Sequence, residues 1–387
     1  MKKIILIVTT VPDTLAGILR GQPKFLSKYY DVRLATSGGE HFASLAVEAV
    51  PSYRVNMKRG ISPFDDLVSI IKMIVLLRKV KPDVLHSYTP KAGLVAMVAG
   101  YLCGVESRIH TFTGLIWPSR FGWRRSLLKV VDRLICRLAT CIVPEGEGVR
   151  DDLIQYHITD KSLEIIGFGN IAGVDVEQFS ENREDVRIGR TLLRRNLGIA
   201  ADNFVYLYIG RLHREKGIHE LAEAFVLVQE EFGDKCRLLL VGGHDLQAPI
   251  DQSTIRAIMC IRGIHMLGAL KDVRPALSLS NILVLPSFRE GFPNVVLEAG
   301  SMSVTAICTD VNGSREIIKD GLNGWIVPPK DVGSLAEAMI EAARCPPEVL
   351  RQMGAAARVI IENRYDRRRY LDKLLEFYEK QICDSVT

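Results

Sequence analysis

The stretch from Pro286 to Ser301 reads PSFREGFPNVVLEAGS, and it decides how the second half of the chain folds. It follows a short apolar run, Asn281 to Leu285, that is typical of a buried parallel strand. Gly291 and Pro293 then mark a turn and a helix start, and the following residues are apolar at helical spacing. The pattern predicts a strand, a tight loop and a helix in succession.

Two glutamates bracket this predicted helix start. Glu290 lies in the loop, and Glu298 follows eight residues later, about two helical turns on. A helix start offers backbone N–H groups and the positive end of the helix dipole, which suit a phosphate, while carboxylates accept hydrogen bonds from sugar hydroxyls. In an arbitrary protein two such glutamates are more often a capping residue and a solvated one, so the interpretation depends on the residues around them.

With those neighbours, the stretch closely resembles the glutamate-x7-glutamate signature of retaining nucleotide-sugar glycosyltransferases of family 4. The resemblance implies an α/β fold of two Rossmann-like domains facing across a cleft, the GT-B type. It also implies that Glu290 contacts the donor sugar and that Glu298 binds ribose hydroxyls. The residues between them that it places against substrate are Gly291, Phe292, Pro293, Asn294 and Val295.

The length and the charge distribution support two domains with different partners. At 387 residues the chain is long enough for two cores. Residues 1–150 hold 22 Lys and Arg against 11 Asp and Glu, a balance of +11, whereas the remainder holds 28 against 34, or −6. The first half is therefore expected to meet something anionic. No known nucleic-acid-binding motif accompanies the charge, so we predict no nucleic-acid partner.

No export signal or membrane span is indicated by the sequence. The N-terminal run MKKIILIVTT lacks a small-residue cleavage site after it, and the longest charge-free apolar run, Ala92 to Val105, is too short to cross a bilayer. The eight cysteines form no CxxC pair, which favours reduced thiols. These features predict a cytoplasmic protein.

Strands alternating with helices along the chain predict open parallel sheets, whose ligands collect at the carboxyl ends of the strands. Residues 1–180 are predicted to form an N-terminal domain, which by resemblance binds the acceptor. Residues 200–365 are predicted to form the nucleotide-sugar-binding domain. By the same resemblance, residues 366–387 form a last helix that crosses back to pack on the first domain.

The segment GRLHREKG, residues 210–217, follows a predicted strand in the second half. Arg211 and Lys216 are well placed there to hold a diphosphate, Arg as a planar fork and Lys as a point charge. The resemblance makes them the phosphate-binding pair, with ordinary surface charge as the alternative. It also places Gly243 and Leu267, at the ends of two further strands, where relatives bind the nucleotide.

Two histidines, His86 and His110, each come at the carboxyl end of a predicted strand in the first half. A histidine hydrogen-bonded to backbone is about as expected as a functional one at either position. The resemblance favours His110, because family members often carry a histidine there that faces the transferred sugar. The tracts HTFTG and DVLHSYTPKAG resemble capsule and O-antigen transferases that use N-acetylated hexosamines.

A predicted helix within residues 117–138 has an unusual basic composition, and Trp123 lies at its start. Four basic residues recur every four positions and form one helix face: Arg125, Lys129, Arg133 and Arg137. A basic amphipathic helix with aromatic residues at one end suits the surface of an anionic membrane, where it would also meet a lipid-linked acceptor. An ordinary surface helix with its apolar side in the core is an equally weighted alternative.

The resemblance implies a retaining transferase, with a UDP-sugar as the expected donor. The expected acceptor is a polyprenyl-diphosphate-linked saccharide of capsule or O-antigen synthesis, at the inner face of the plasma membrane. This architecture normally works without a metal, so no cofactor is expected, and the Asp175-x-Glu177 pair is not interpreted as a metal site. Two alternatives stay open: a UDP-sugar 2-epimerase of the same architecture and a non-catalytic nucleotide-sugar-binding partner subunit.

Overall fold

The computed structural model describes residues 2–58, 60–243, 250 and 252–384, which divide into two compact units. Unit 1 comprises Met1–Ala172 and Arg368–Thr387, and unit 2 comprises Gly173–Arg367. The predicted domain limits lie at residues 180, 200 and 366, whereas the two units divide after residues 172 and 367.

Unit 1 is built on a six-stranded parallel sheet in the order β3-β2-β1-β4-β5-β6. Its strands are β1 (Ile4–Val8), β2 (Asp31–Thr36), β3 (Ser52–Arg54), β4 (Val84–Tyr88), β5 (Ser107–Phe112) and β6 (Cys141–Pro144). The central strands are buried on both faces, because segments pack on either side of the sheet. This double burial is why they appear in the sequence as short, nearly continuous apolar runs.

The helices of unit 1 before the crossing to unit 2 are α1 (Gln22–Leu26), α2 (Pro63–Val80), α3 (Pro90–Leu102), α4 (Gly122–Leu138) and α5 (Glu147–Gln155). Helices α2, α3 and α4 join successive strands in the same direction along the sheet, so right-handed crossovers place all three on one face. They pack side by side, with α3 between the other two. A π-helical turn at Thr14–Ile18, helix α1 and a 3₁₀ segment at Glu40–Glu48 contribute to the core on the opposite face.

Unit 2 repeats this plan with a second six-stranded parallel sheet in the order β12-β11-β10-β7-β8-β9. Its strands are β7 (Phe204–Ile209), β8 (Cys236–Val241), β9 (Ile264–Gly268), β10 (Ile282–Leu285), β11 (Thr305–Thr309) and β12 (Gly324–Val327). Its helices are α6 (Glu184–Asn196), α7 (Ile218–Phe232), α8 (Gln252–Cys260), α9 (Arg274–Leu279), α10 (Asn294–Ser301), α11 (Ser314–Ile317), α12 (Val332–Arg344) and α13 (Pro347–Arg364).

Counted within each unit, both sheets have the strand order 3-2-1-4-5-6 of a Rossmann fold. The predicted α/β fold with two Rossmann-like domains is therefore confirmed. In each sheet the order reverses between the first and the fourth strand, which are β1 and β4 in unit 1 and β7 and β10 in unit 2. Ligands of such sheets bind outside the carboxyl ends of the strands at this reversal, and this fixes where to look for a site.

The last helix, α14 (Arg367–Asp384), packs on the unit 1 face opposite α2, α3 and α4. It contributes a row of buried side chains to that core: Tyr370, Leu374, Phe377 and Tyr378. His86 on β4 is fully buried, with Nδ1 2.7 Å from the Tyr378 hydroxyl and Nε2 2.7 Å from the Thr111 hydroxyl. Burial lowers the pKa of His86 to about 3, so the ring is neutral at neutral pH. His86 thus ties two strands of the sheet to the returning helix.

Over the residues that the structure describes, no helix combines the length and the apolar character that crossing a bilayer requires.

We expect the substitution Tyr378→Phe to lower the free energy of unfolding by about 1–3 kcal/mol, because it leaves the buried His86 Nδ1 without its close partner. Urea unfolding followed by fluorescence measures this. Tyr29→Phe is the matched control, since it removes a hydroxyl from an exposed tyrosine. Equal loss in both variants, or none in either, would contradict the role assigned to the His86–Tyr378 contact.

Candidate functional site

The candidate site of unit 2 lies where the order of its sheet reverses. Strands β7 and β10 are hydrogen-bonded neighbours there, although about seventy residues separate them in the chain. The segment that follows β7, residues 210–217, is called the β7 loop below. The segment that follows β10, residues 286–293, is called the β10 loop. Both leave the same edge of the sheet side by side, because parallel neighbours end together.

The backbones of the two loops are in direct contact. The Phe288 N–H donates to the Glu215 carbonyl across 2.8 Å. Gly217 has a φ of +68°, and a Cβ there would lie 2.1 Å from the Pro286 carbonyl oxygen. Only glycine satisfies both the left-handed backbone and this approach. The contact therefore fixes the distance between the two loop backbones and which residues lie opposite each other.

Two ion pairs cross between the loops. Lys216 Nζ lies 2.5 Å from Glu290 Oε1, and Arg289 Nη2 lies 3.0 Å from Glu215 Oε2. All four side chains are partly buried, which shields the pairs from solvent screening. The structure therefore brings together Lys216 and Glu290, which the sequence had assigned to the phosphate and to the sugar separately.

Arg211 is an exposed residue, and its backbone is held in place. The Tyr208 hydroxyl donates to the Arg211 carbonyl across 2.9 Å, and the next residue, Leu212, donates its N–H to the Gly243 carbonyl across 2.9 Å. A fixed backbone with an exposed guanidinium suits capture of an anion from solvent. Its role in binding phosphate stays a prediction.

Gly243 and Leu267, assigned by resemblance to nucleotide binding, lie at neighbouring strand ends. Val241 on β8 pairs with Gly268 on β9, and the Gly242 N–H donates to the Gly268 carbonyl across 2.8 Å. The Gly243 carbonyl is occupied by the β7 loop, as described above. Residues 244–249 lie outside the described part of the chain, and contact of Gly243 and Leu267 with a nucleotide stays a prediction.

Helix α10 begins directly after the β10 loop, with buried Pro293 at its N-cap. The N-cap residue makes no side-chain hydrogen bond to the first turn of the helix. Gly313 packs closely against the β10 loop. Its φ is +74°, and a Cβ there would lie 2.5 Å from the Gly291 carbonyl oxygen. Asn294 and Val295 form the first turn, whose N–H groups point toward the edge of the sheet and suit a phosphate.

Glu298 lies in the second turn of α10 and is half-buried. Burial raises the pKa of Glu298 to about 7, and the positive charge of Arg367 opposes part of this rise. The carboxyl of the protein without ligand contacts is therefore close to half-ionised at neutral pH. A group in this state changes its charge readily when a ligand supplies hydrogen-bond donors.

His110 lies in unit 1 and is fully buried. Its Nδ1 is 2.8 Å from the Ser87 hydroxyl, its ring packs edge-on against Phe112, and a Cβ on Gly93 would lie 2.4 Å from the ring. Burial lowers the pKa of His110 to about 3. The ring presents no exposed atom, and its Nε2 has no hydrogen-bond partner among the described residues. The role of His110 in orienting the transferred sugar stays a prediction.

The basic face predicted on α4 is turned onto unit 1 itself at two of its four residues, Arg125 and Lys129. Lys129 Nζ lies 4.7 Å from the ring centre of Trp117 and 4.6 Å from that of Tyr156, and Arg125 stacks on the same two rings. Arg133 donates to the His157 carbonyl across 3.0 Å. Cation–π contacts of this kind stabilise the packing of the helix. Of the four basic residues, Arg133 and Arg137 are exposed, as is Trp123.

Within the described residues, no group of three or more His, Cys, Asp or Glu side chains is arranged to hold a metal ion. Metal independence stays a prediction.

Several residues that shape the site were missed in the sequence. Tyr208 holds the Arg211 carbonyl, and His213 Nδ1 accepts the Glu215 N–H across 2.9 Å to cap the short turn before Lys216. One signal for the missed ion pairs was present: the order Glu215-Lys216 in one loop is the reverse of Arg289-Glu290 in the other. It becomes informative only once the two loops are known to be neighbours.

Two family models match this chain, one in each half. A model described as "Glycosyl transferase 4-like domain" matches residues 26–169, and a model described as "Glycosyl transferases group 1" matches residues 203–344. The second match contains both loops of the candidate site. Together the two matches account for most of the chain.

Similar proteins cover nearly the whole chain. The capsular polysaccharide biosynthesis glycosyltransferase CapM of Staphylococcus aureus is 29% identical over 95% of this chain and 95% of its own. The UDP-Gal:alpha-D-GlcNAc-diphosphoundecaprenol alpha-1,3-galactosyltransferase of Escherichia coli is 25% identical over 93% and 91%. The crystal structure of Anabaena Alr3699/HepE in complex with UDP has a TM-score of 0.79 at 18% identity, over 98% of this chain and 100% of that one.

The similarity in sequence and in fold, together with the two matched domains, gives one conclusion. The chain belongs to the family 4 glycosyltransferases of GT-B architecture and is a glycosyltransferase of the kind found in bacterial polysaccharide synthesis.

Proposed function

We propose that this glycosyltransferase moves a sugar from a UDP-sugar to a polyprenyl-diphosphate-linked saccharide during synthesis of a bacterial capsule or O-antigen, with retention at the anomeric carbon. The names of the two relatives support this: one acts in capsule synthesis, and the other uses UDP-Gal and a diphosphoundecaprenol-linked acceptor. The donor sugar we propose is an N-acetylated hexosamine, on the resemblance of the tracts in the first half.

The observation that carries the proposal is the pairing of Lys216 with Glu290 beside the start of α10. A donor has a diphosphate and a sugar joined at one atom, and the site offers a cation and a carboxylate 2.5 Å apart at one point. Arg211 and the first turn of α10 would bind the diphosphate with Lys216. Glu290 would bind hydroxyls of the sugar, and Glu298 those of the ribose.

In the proposed reaction the bond between the anomeric carbon and the diphosphate oxygen breaks, and the electron pair leaves with the UDP. The acceptor hydroxyl attacks the same face of the sugar and forms the new C–O bond, while its proton passes to the departing phosphate. Lys216, Arg211 and the helix start stabilise the negative charge that grows on the phosphate, without a metal.

The place of action we propose is the cytoplasmic face of the plasma membrane, with the protein bound there peripherally. A lipid-linked acceptor is confined to the membrane, and the surplus of positive charge in residues 1–150 favours an anionic surface.

The transferase and its alternatives are separated by one experiment. Purified protein is incubated with a panel of UDP-sugars, with and without extracts of lipid-linked saccharide, and the products are weighed by mass spectrometry. We expect UDP release and a saccharide one sugar longer only when both substrates are present. An epimerised UDP-sugar without acceptor would establish the 2-epimerase instead, and binding of a donor without any turnover would favour the non-catalytic partner subunit.

We expect Glu290→Gln to lower kcat by about tenfold to a hundredfold, because the hydrogen bonds of a charged group to the sugar are lost. The same variant should bind free UDP severalfold more tightly than the wild type, because Lys216 no longer has an ion-pair partner that competes with phosphate. Steady-state kinetics and calorimetry measure the two effects.

Glu215→Gln is the matched control for this prediction, since it removes the same charge from the neighbouring ion pair and leaves Lys216–Glu290 in place. It should change neither quantity by more than about twofold. Weaker UDP binding in Glu290→Gln than in Glu215→Gln would show that Glu290 does not compete for Lys216.

The raised pKa of Glu298 predicts that donor affinity depends on pH. If the ribose binds to the carboxylate form, binding must release the proton that Glu298 holds below its pKa of about 7. Affinity for a UDP-sugar should therefore rise about tenfold from pH 6 to pH 8, as the ionised fraction rises. Calorimetry at several pH values measures this, and Glu298→Gln should bind more weakly with no such rise. The same rise in both proteins would assign it to another group.

A further inference from the structure

Helix α2 of unit 1 presents large apolar side chains to solvent. Phe64 is 77% exposed and Val75 is 64% exposed, and Leu67 and Ile71 between them are also exposed. These four residues are spaced by three, four and four positions, so they form one continuous stripe along the helix. The opposite side of α2 is buried in the core through Met73, Leu76, Leu77 and Val80. A surface helix that is apolar on its outer side as well as on its buried side is unusual for a protein that contacts only water.

Helix α4 carries a second stripe on its outer side. Phe121, just before the helix, is 85% exposed, Trp123 is 67% exposed, and Val130 and Leu134 continue along the helix. Helix α3 packs between α2 and α4, and all three cover the same face of the sheet. The two stripes therefore belong to one surface. The outer apolar face is defined here as Phe64, Leu67, Ile71, Val75, Phe121, Trp123, Val130 and Leu134.

The aromatic ends of both stripes lie at the edge of the sheet where ligands bind. Helices α2, α3 and α4 each precede a strand that runs parallel to its neighbours, so each begins at the carboxyl edge and ends at the amino edge. Lys91 at the start of α3 pairs with Asp66 in the first turn of α2, with 2.7 Å between Nζ and the carboxylate. Phe64 and Trp123, each in the first turn of its helix, therefore lie at the carboxyl edge.

The charges around the outer apolar face have one sign. The acidic residues of α2 and α4 are Asp65, Asp66 and Asp132. Asp65 pairs with Lys58, Asp66 pairs with Lys91, and Asp132 is buried and accepts a hydrogen bond from the Trp117 indole. The exposed charged residues that remain beside the face are all basic: Lys72, Arg78, Lys79, Arg120, Arg124, Arg133 and Arg137.

We propose that the outer apolar face inserts into the surface of an anionic lipid bilayer, with the first turns of α2 and α4 deepest. Aromatic residues flanked by arginine, next to aliphatic side chains on a helix, match the interface between headgroups and acyl chains. A second copy of the chain fits less well, because it would bring like charges together. The inference rests on the proposed lipid-linked acceptor and deepens it, since the ligand edge of unit 1 then faces the membrane that holds the acceptor.

The test uses the full-length protein and vesicles of phosphatidylcholine, with or without about a third phosphatidylglycerol. Flotation should recover the wild type with anionic vesicles, and the triple variant Phe64→Ser, Leu67→Ser, Ile71→Ser should bind at least tenfold more weakly. The control replaces exposed Val349 and Val359 of α13 with serine and should bind as the wild type does. Equal binding of the triple variant and the wild type would overturn the proposal.

A second readout reports insertion directly. Trp123 is the exposed one of the three tryptophans, since Trp117 and Trp325 are buried. Anionic vesicles should shift the fluorescence emission to the blue, and Trp123→Phe should abolish the shift while flotation persists. Binding without any shift would indicate adsorption by charge alone, and concentration-dependent dimerisation lost in the triple variant would assign the face to a second copy; either result would overturn the proposal.

Activity separates this inference from the proposed function. The triple variant should keep wild-type turnover with a water-soluble, short-chain prenyl-diphosphate saccharide and lose at least tenfold with the long-chain acceptor in vesicles. Turnover of neither acceptor by the wild type would refute the proposed function, while flotation would still decide the membrane surface. An equal loss with both acceptors would refute the membrane surface alone.

Discussion

The ion pair between Lys216 and Glu290 is the contact on which the candidate site depends. It joins two loops that are far apart in sequence and that become neighbours only because β7 and β10 are adjacent in the sheet. The Gly217 approach and the Phe288–Glu215 hydrogen bond set the distance between the backbones, and the side chains then meet with no further adjustment. A bulkier residue at position 217 would separate the loops and the charges together.

The pair also explains how the site tolerates charges that are partly removed from water. A partly buried charge without a partner is costly, whereas a pair satisfies both members until a ligand arrives. On the proposed function, a sugar nucleotide replaces each partner at once, with its phosphate against Lys216 and its hydroxyls against Glu290. Free UDP can replace only one of them. On the proposed function, this geometry would therefore favour the intact donor over the product that must leave.

Most of the fold could be predicted because buried parallel strands are short apolar runs. The predicted strand at Asn281–Leu285 differs from β10 (Ile282–Leu285) by one residue, and the helix predicted to start after Gly291 and Pro293 is α10 (Asn294–Ser301). The three-residue strand β3 and the π-helical turn after β1 were missed, since such short elements have no periodicity to recognise. At the site, the sequence supplied Arg211, Lys216, Glu290 and Glu298 individually.

The pairing of Lys216 with Glu290 could not be predicted, because strands that are neighbours in a sheet need not be consecutive in the chain. Nor could the sequence say which side of α4 is outward. Arg125 and Lys129 pack against Trp117, which lies just before the helix, and against Tyr156, which follows α5, while Val130 and Leu134 turn outward. Spacing identifies the faces of a helix, and only tertiary packing decides which face meets solvent.

In the proposed reaction, charges of opposite sign develop on two neighbouring atoms of the donor, and the site has groups of opposite charge a similar distance apart. As the bond to the diphosphate breaks, negative charge grows on the phosphate and positive charge on the anomeric carbon. On the proposed function, Lys216, Arg211 and the start of α10, equivalent to about half a positive charge, would act on the first, and the Glu290 carboxylate would act on the second. Because the backbones of both loops are fixed by glycine contacts, these charges need little reorganisation during the reaction. On the proposed function, fixed cations and helix amides would stabilise the departing phosphate as the bond breaks.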